Sequence, residues 1–247
     1  MNKVYELFKN TSPLLGMLHL KGSDPEDVLS RAKKEIDLYF DNGVDAVIVE
    51  NYFGNYYHMV EVLKHLSENY KDKIYGVNCL NMDAMGFELA INYGAKFVQL
   101  DSVAGHLKER DDHSFEAFMN LYRSKTDALV FGGVRFKYQP YLSGRSLEED
   151  LTLAKERCDA IVVTGDHTGQ ETDLEKIKEF RKILGEFPMI IGAGLTPDNA
   201  KVQMQYADGA IVGSYFKENY KDEGEVDKTH VKQMVELFHE IRRDKND

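Results

Sequence analysis

The strongest constraint on this chain is an alternation of two hydrophobic periods. Short runs rich in Val, Ile, Leu and Phe occupy residues 14–20, 46–50, 74–80, 97–101, 128–136, 160–164, 189–192 and 209–213. Each is too short for a stable helix and has the continuous apolar character of a strand buried on both faces of a parallel sheet. Between the runs, apolar residues recur three and four apart, as at Val28, Ala32, Ile36 and Tyr39 and at Leu174, Ile177, Phe180 and Leu184. That spacing puts one helix face inward. Helix starts are marked by Asp24-Pro25, by Ser146 before Glu148 and Glu149, by Thr172-Asp173 before Glu175, and by Thr196-Pro197, as capping residues followed by Pro or Glu in the first turn require. A last helix from near Asp227 would bury Val231, Met234, Val235, Phe238 and Ile241. Eight strand–helix units predict an α/β chain folded as a single (β/α)8 TIM barrel, one domain over residues 1–247. A doubly wound open sheet is the alternative.

Polar residues gather where the predicted strands finish: His19, Glu50 with Asn51, Asn78, Gln99 with Asp101, Arg135 with Lys137, and Thr164 with Asp166. In a barrel these ends form the C-terminal rim, where active sites are built from loops that vary without disturbing the core. Alternation puts Gln99 and Asp101 on one strand face, and Arg135 and Lys137 on another. Glu50 and Asp101 are candidates for general acid/base work, or for sharing a magnesium or manganese ion. A salt bridge to Lys137 or Arg135 is the structural alternative. His19 is a candidate acid/base or a hydrogen-bonded structural histidine, and Lys137 a Schiff-base former or an anion partner. Asn51, Asn78, Gln99, Arg135, Thr164 and Asp166 are candidate substrate contacts.

The last two runs each end in glycine, Gly192-Ala193-Gly194 and Gly213-Ser214. Glycine lets backbone approach a ligand, and phosphate sites of such barrels lie after strands seven and eight. Gly192, Gly194, Gly213 and Ser214 are therefore candidate phosphate contacts, unless the glycines only relieve crowding. Weaker candidates are Arg145 in a lid-length loop over residues 138–145, the polar loop Asp166-His167-Thr168-Gly169, and the aromatic group Tyr52, Phe53, Tyr56 and Tyr57 that would roof the pocket. Cys79 reads as a small core residue. There is no catalytic triad, zinc-binding cluster, P-loop or dinucleotide fingerprint, so no nucleotide cofactor is expected.

Several stretches together resemble the BtpA/SgcQ family: Gly16-Met17-Leu18-His19-Leu20, Val47-Ile48-Val49-Glu50-Asn51 with Gly54, and Gly76-Val77-Asn78 with Asp83-Ala84. Ile161-Val162-Val163-Thr164-Gly165 with Thr168-Gly169, the run from Gly192 to Asn199, and that from Ala207 to Gly213 continue the match in order over nearly the whole chain. The resemblance implies a TIM barrel similar to the ribulose-phosphate-binding barrels. It also implies a family with one branch linked to photosystem I biogenesis and another encoded among sugar-uptake genes. The pattern departs at Asn81 and Asp101, where the family has arginine and asparagine, and at Gly133 and Tyr138, where it has aspartate and histidine. The expected function is binding of a small phosphorylated, sugar-like metabolite, with lyase or isomerase chemistry. A non-catalytic assembly or regulatory factor that retains the pocket is the competing class.

Thirty-one basic residues against 42 acidic ones give a net charge of −11, which opposes nucleic-acid backbones and anionic lipid. No apolar run approaches the roughly 18 residues of a membrane span. Two distant cysteines, Cys79 and Cys158, suit a reducing compartment. The expectation is a cytoplasmic protein with no nucleic-acid partner and no stable membrane association, open to homo-oligomer formation; the Asn10-Thr11-Ser12 sequon then carries no glycan. The charge balance predicts that the protein stays in the supernatant when sedimented with anionic vesicles at physiological salt, and substantial pelleting would contradict it.

Overall fold

The computed structural model describes residues 2–9 and 12–246, so Asn10 and Thr11 of the sequon lie outside the described residues. A short helix α1 (Lys3–Leu7) precedes β1 (Leu14–His19), α2 (Pro25–Asp41), β2 (Ala46–Glu50), α3 (Tyr56–Asn69), β3 (Ile74–Asn78) and α4 (Asp83–Tyr93). The chain continues through β4 (Phe97–Ala104), α5 (Glu109–Arg123), β5 (Leu129–Val134), α6 (Leu147–Arg157), β6 (Ala160–Val163) and α7 (Leu174–Leu184). It ends with β7 (Met189–Ile191), α8 (Pro197–Gln203), β8 (Gly209–Val212) and α9 (Lys228–Asn246). All eight strands pair in parallel in chain order, and β8 closes on β1. The barrel is the predicted one, and an open sheet is excluded.

Strand alternation divides the core in two. Leu15, Met17, Ala46, Ile48, Phe97, Phe131, Val162, Ile190 and Ile211 fill the barrel interior, while Leu14, Leu18, Val47, Val49, Val77 and Val98 pack outward against the helices. Phe97 and Phe131 stack across the interior with centroids 4.4 Å apart. Phe8, from the segment before β1, closes the N-terminal end against both rings at 6.3 and 6.4 Å. This plug closes the barrel interior from below, and the cavity lined by the strand ends opens at the C-terminal mouth.

The caps act largely as the sequence predicts. Asp24 Oδ1 accepts from Asp27 N at 2.9 Å with Pro25 in the first turn, and Ser146 and Glu149 form a reciprocal capping box. At α7 the cap is Asp173, whose Oδ1 accepts from Glu175 N and Lys176 N; Thr172 is instead buried and donates to Ala193 O. At the rim two expectations need correction. β4 runs on to Ala104 through a register shift after Leu100, and β5 stops at Val134 because Arg135 takes φ +47°. Arg135 and Lys137 therefore do not share a strand face. No helix among the described residues is long and apolar enough to cross a membrane.

Glycine at 76 is what lets the aromatic plug form, since a Cβ there would lie inside the van der Waals envelope of the Phe97 ring. Overpacking of this kind costs about 1–3 kcal/mol. Gly76→Ala should therefore destabilise the fold by that amount, lowering the urea midpoint with an unchanged m-value, and an unshifted midpoint would show that the plug does not need the space left at position 76.

Candidate functional site

The site begins with register. His19 is the Cα partner of Glu50, and Glu50 is the partner of Asn78, so the last residues of β1, β2 and β3 form one rung across the sheet. All three point inward because they continue the parity of Met17, Ile48 and Gly76, directly above the apolar plug. His19 Nε2 lies 3.2 Å from Glu50 Oε2. Asn78 Nδ2 donates to Glu50 Oε1 at 2.9 Å and to Asp101 Oδ1 at 3.4 Å. One amide thus joins the two carboxylates that the sequence singles out. Burial, and then the neighbouring Glu50 carboxylate, push the Asp101 carboxyl up to about 6. Such a group holds or gives up a proton near neutral pH.

Around this rung lies a cavity of about 220 Å³ lined by His19, Glu50, Asn78, Gln99, Asp101 and Lys137 on one side and by Gly192, Gly194, Gly213 and Ser214 on the other. Gln99 is 4% exposed, and its Oε1 has no hydrogen-bond partner among the described residues; neither does His19 Nδ1. A buried amide oxygen without a donor is costly, and a ligand hydroxyl in the cavity would satisfy it. Tyr52 roofs the site by stacking on His19 at 4.9 Å, with Phe53 edge-on to Tyr52 at 4.8 Å. Tyr56 packs against the helix-side core and Tyr57 is exposed, so neither contributes to the roof.

Other candidates fall outside the cavity. Asn51 Oδ1 accepts from Leu80 N at 2.7 Å and ties the ends of β2 and β3 together. Thr164 is buried and its Oγ1 accepts from Lys137 N at 2.9 Å, which positions the lysine rather than a substrate. Asp166 is exposed and does not line the cavity. Arg135, turned outward by its left-handed backbone, faces Asp150 at 3.8 Å. Arg145 is no lid anchor, because its guanidinium is held by Asp150 at 3.1 Å and Asp112 at 3.0 Å. Burial alone would raise the Asp112 carboxyl, but the Arg157 and Arg145 guanidiniums hold it below the usual carboxylate range. Cys79 is buried, and burial pushes its thiol up to about 11, which leaves it unreactive.

The glycines divide by role. A Cβ at Gly192 would collide with Val162, so this glycine serves barrel packing. Gly194 has φ +68° and abuts the backbone of Gln170, so its glycine sets the turn. Gly213 is the least crowded, with its nearest neighbour, His19 Cε1, 3.3 Å from an added Cβ. The Ser214 hydroxyl donates to Asp222. Rim residues that sequence reasoning undervalued are Asn81 and Tyr138, both with positive φ, and Thr168 and Gly169. Thr168 N donates to the Tyr138 hydroxyl at 2.9 Å, which joins the loops after β5 and β6. Their signal was position alone, three to six residues beyond a strand end.

Among the described residues no group of three or more His, Cys, Asp or Glu side chains is placed to hold a metal ion. Between Glu50 and Asp101 stands an amide that presents hydrogens to both, an arrangement suited to holding protons. No ion pair joins either carboxylate to Arg135 or Lys137 among the described residues, so neutralising Asp101 leaves no buried cation stranded. Its raised carboxyl pKa means that the folded state binds the proton more tightly than the unfolded chain. This stability is fully present below about pH 4, is lost as pH rises to about 6, and is flat above. Asp101→Asn should abolish that loss, gaining on the order of 1–3 kcal/mol over the parent at pH 7 relative to pH 4. Asp83, pushed by burial up to about 6, leaves a residual slope of the same sign. Chemical denaturation at both pH values checks this, and a variant less stable than the parent at pH 7 would make Asp101 a structural partner.

Over residues 10–240 the chain matches the model of the BtpA family. It is 29% identical to an uncharacterized protein of Methanocaldococcus jannaschii, covering 96% of this chain and 98% of the relative. It is 24% identical to the photosystem I biogenesis protein BtpA of Synechocystis, covering 96% and 91% respectively. Among solved structures it is similar to a thiamine phosphate pyrophosphorylase from Pyrococcus furiosus, with a TM-score of 0.62 and 15% identity over 94% of this chain and 98% of that one. It is also similar to an archaeal fructose 1,6-bisphosphate aldolase, with a TM-score of 0.59 and 14% identity over 95% and 97%. These identities speak to the barrel fold alone; the family match spans most of the sequence, and the chain belongs to the BtpA family.

Proposed function

We propose that this chain acts as a single barrel domain in the cytoplasm and binds a small phosphorylated, sugar-like metabolite, on which it carries out acid/base lyase or isomerase chemistry. The observation that carries this reading is the convergence of Glu50 and Asp101 on the Asn78 amide beside the unpaired oxygen of Gln99, on the floor of a cavity. A polyol ligand supplies what that floor lacks, a hydroxyl donor for the Gln99 amide oxygen. Glu50, oriented by His19 and Asn78, accepts a proton from carbon or oxygen next to a carbonyl. Asp101 returns a proton, and the Lys137 ammonium steadies the oxygen that gains negative charge. The phosphate lies against the backbone of Gly194, Gly213 and Ser214; the archaeal aldolase and the pyrophosphorylase, barrels whose names carry phosphorylated compounds, support phosphate binding in general and not this placement.

A second reading has one observation in its favour, the Synechocystis relative named for photosystem I biogenesis. A non-catalytic factor would keep the pocket as a sensor. Burying ionisable groups without a use costs stability, which favours the enzyme.

Asp222 offers a direct test of the phosphate placement. Its carboxylate holds the Ser214 hydroxyl and sets a negative charge beside the proposed phosphate, so backbone N–H groups are the donors that remain. Removing one like charge at this distance is worth roughly 1 kcal/mol in a partly solvated site, about fivefold in affinity. Asp222→Asn should tighten glycerol 3-phosphate binding by about that factor in titration calorimetry, while Gly213→Ala, which fills the wall, weakens it. Equal affinities in all three proteins, or no binding in the parent, would overturn the phosphate site.

A further inference from the structure

The glycine wall has a second side. Gly169, Gly194, Gly213 and Ser214 line the mouth cavity and also a neighbouring cavity of about 380 Å³ between the loops after β7 and β8. The far wall of this second cavity is made by Leu195, Pro197, Tyr215, Tyr220 and Gln233, with Thr196 and Asp198 at its edge. The proposed acid/base chemistry uses none of these side chains.

The chain goes to some length to place Tyr220. Asn219 and Tyr220 both take left-handed backbone, with φ +54° and +58°, although neither is glycine. Consecutive outliers of this kind persist only where surrounding structure holds them, and they concentrate at functional sites. Here the anchor is Lys217, 1% exposed, whose ammonium lies 3.0 Å from Glu35 Oε2 and whose carbonyl accepts from Tyr220 N at 3.1 Å. The Tyr220 ring rests on His230 at 4.8 Å and on Tyr215 at 5.6 Å, yet remains 60% exposed. It is a braced aromatic surface that faces open space. Tyr215 Oη donates to Gln233 Oε1 at 2.9 Å, which leaves the Gln233 NH2 group as a donor, and Asp198 supplies an acceptor.

We propose that the second cavity is a subsite for a sugar or cyclitol ring carried on the second ester arm of a phosphodiester ligand. The inference rests on the phosphate reading above: the phosphate lies at the shared glycine wall and its first arm enters the mouth cavity. A phosphomonoester has one organic arm and fills one cavity, whereas a phosphodiester has two and fills both. A sugar-like ring suits the lining, because its C–H face packs on Tyr220 while its hydroxyls both donate to Asp198 and accept from Gln233.

The test compares glycerol 3-phosphate with glycerophosphoinositol by titration calorimetry, on the parent chain and on Tyr220→Ala and Gln233→Ala. Circular dichroism melts check that the variants fold; both positions lie outside the barrel core. The diester should bind the parent at least tenfold more tightly than the monoester, and each variant should erase that advantage while leaving glycerol 3-phosphate affinity unchanged. Monoester binding with equal or weaker diester binding, or an advantage that survives both substitutions, overturns the subsite and leaves the phosphate reading intact. Failure of both ligands on the parent overturns the two together.

Discussion

Everything at the mouth of this barrel depends on the register of three parallel strands. Pairing His19 with Glu50 and Glu50 with Asn78 puts an imidazole, a carboxylate and an amide on a single rung. A slip of one residue in β2 would turn Glu50 out among the helices and bring Val49 into the cavity. The apolar layers below prevent that slip, because Ile48 and Ala46 would have to leave the interior with it. The functional rung is thus held by hydrophobic packing one layer beneath it, and its polar groups contribute little to their own placement.

Packing and chemistry meet at the glycines. Gly76 yields space to Phe97, Gly133 lets β5 pass close to the Asp101 carbonyl, and Gly192 lets β7 pass Val162. Without side chains at these points, the large rings fill the lower barrel while the upper barrel stays hollow. The irregularity of β4 after Leu100 has the same consequence, since Asp101 is released from regular pairing where its carboxyl meets Asn78.

A separate ionic cluster steadies the loops after β4 and β5. Arg157, 5% exposed, donates to Asp112 at 2.8 Å and to Val103 O at 2.8 Å, while Arg145 bridges Asp112 and Asp150. Buried charges of this kind are tolerable only when mutually paired. The cluster draws Arg135 and Arg145 away from the mouth, which leaves Lys137 as the cation that lines the cavity among the described residues. Opposite it, Lys176 reaches from α7 to donate to Thr164 O at 2.7 Å and Arg135 O at 3.1 Å, closing the ends of β5 and β6 from behind.

The sequence by itself determined the barrel, because eight runs of one period alternating with helices of another leave few other ways to bury so much apolar surface. It also determined that polar chemistry sits at the strand ends, where His19, Glu50, Asn78, Gln99 and Asp101 were legible as polar residues closing apolar runs, while which strand face points inward was left for the closed barrel to decide. Tertiary structure alone decided which rim residues face the cavity once parity stops. Arg135 shows why: a single left-handed residue ended β5, and a carboxylate fifteen residues away in sequence, Asp150, captured its guanidinium. Thr164, Asn51 and Arg145 were likewise claimed by partners distant in sequence. Tyr138, Thr168 and Tyr220 entered through loops whose backbone has no period to read. Strand periodicity is a local property carried by each side chain's neighbours, whereas the direction of a loop side chain is set by contacts that exist only after the barrel has closed.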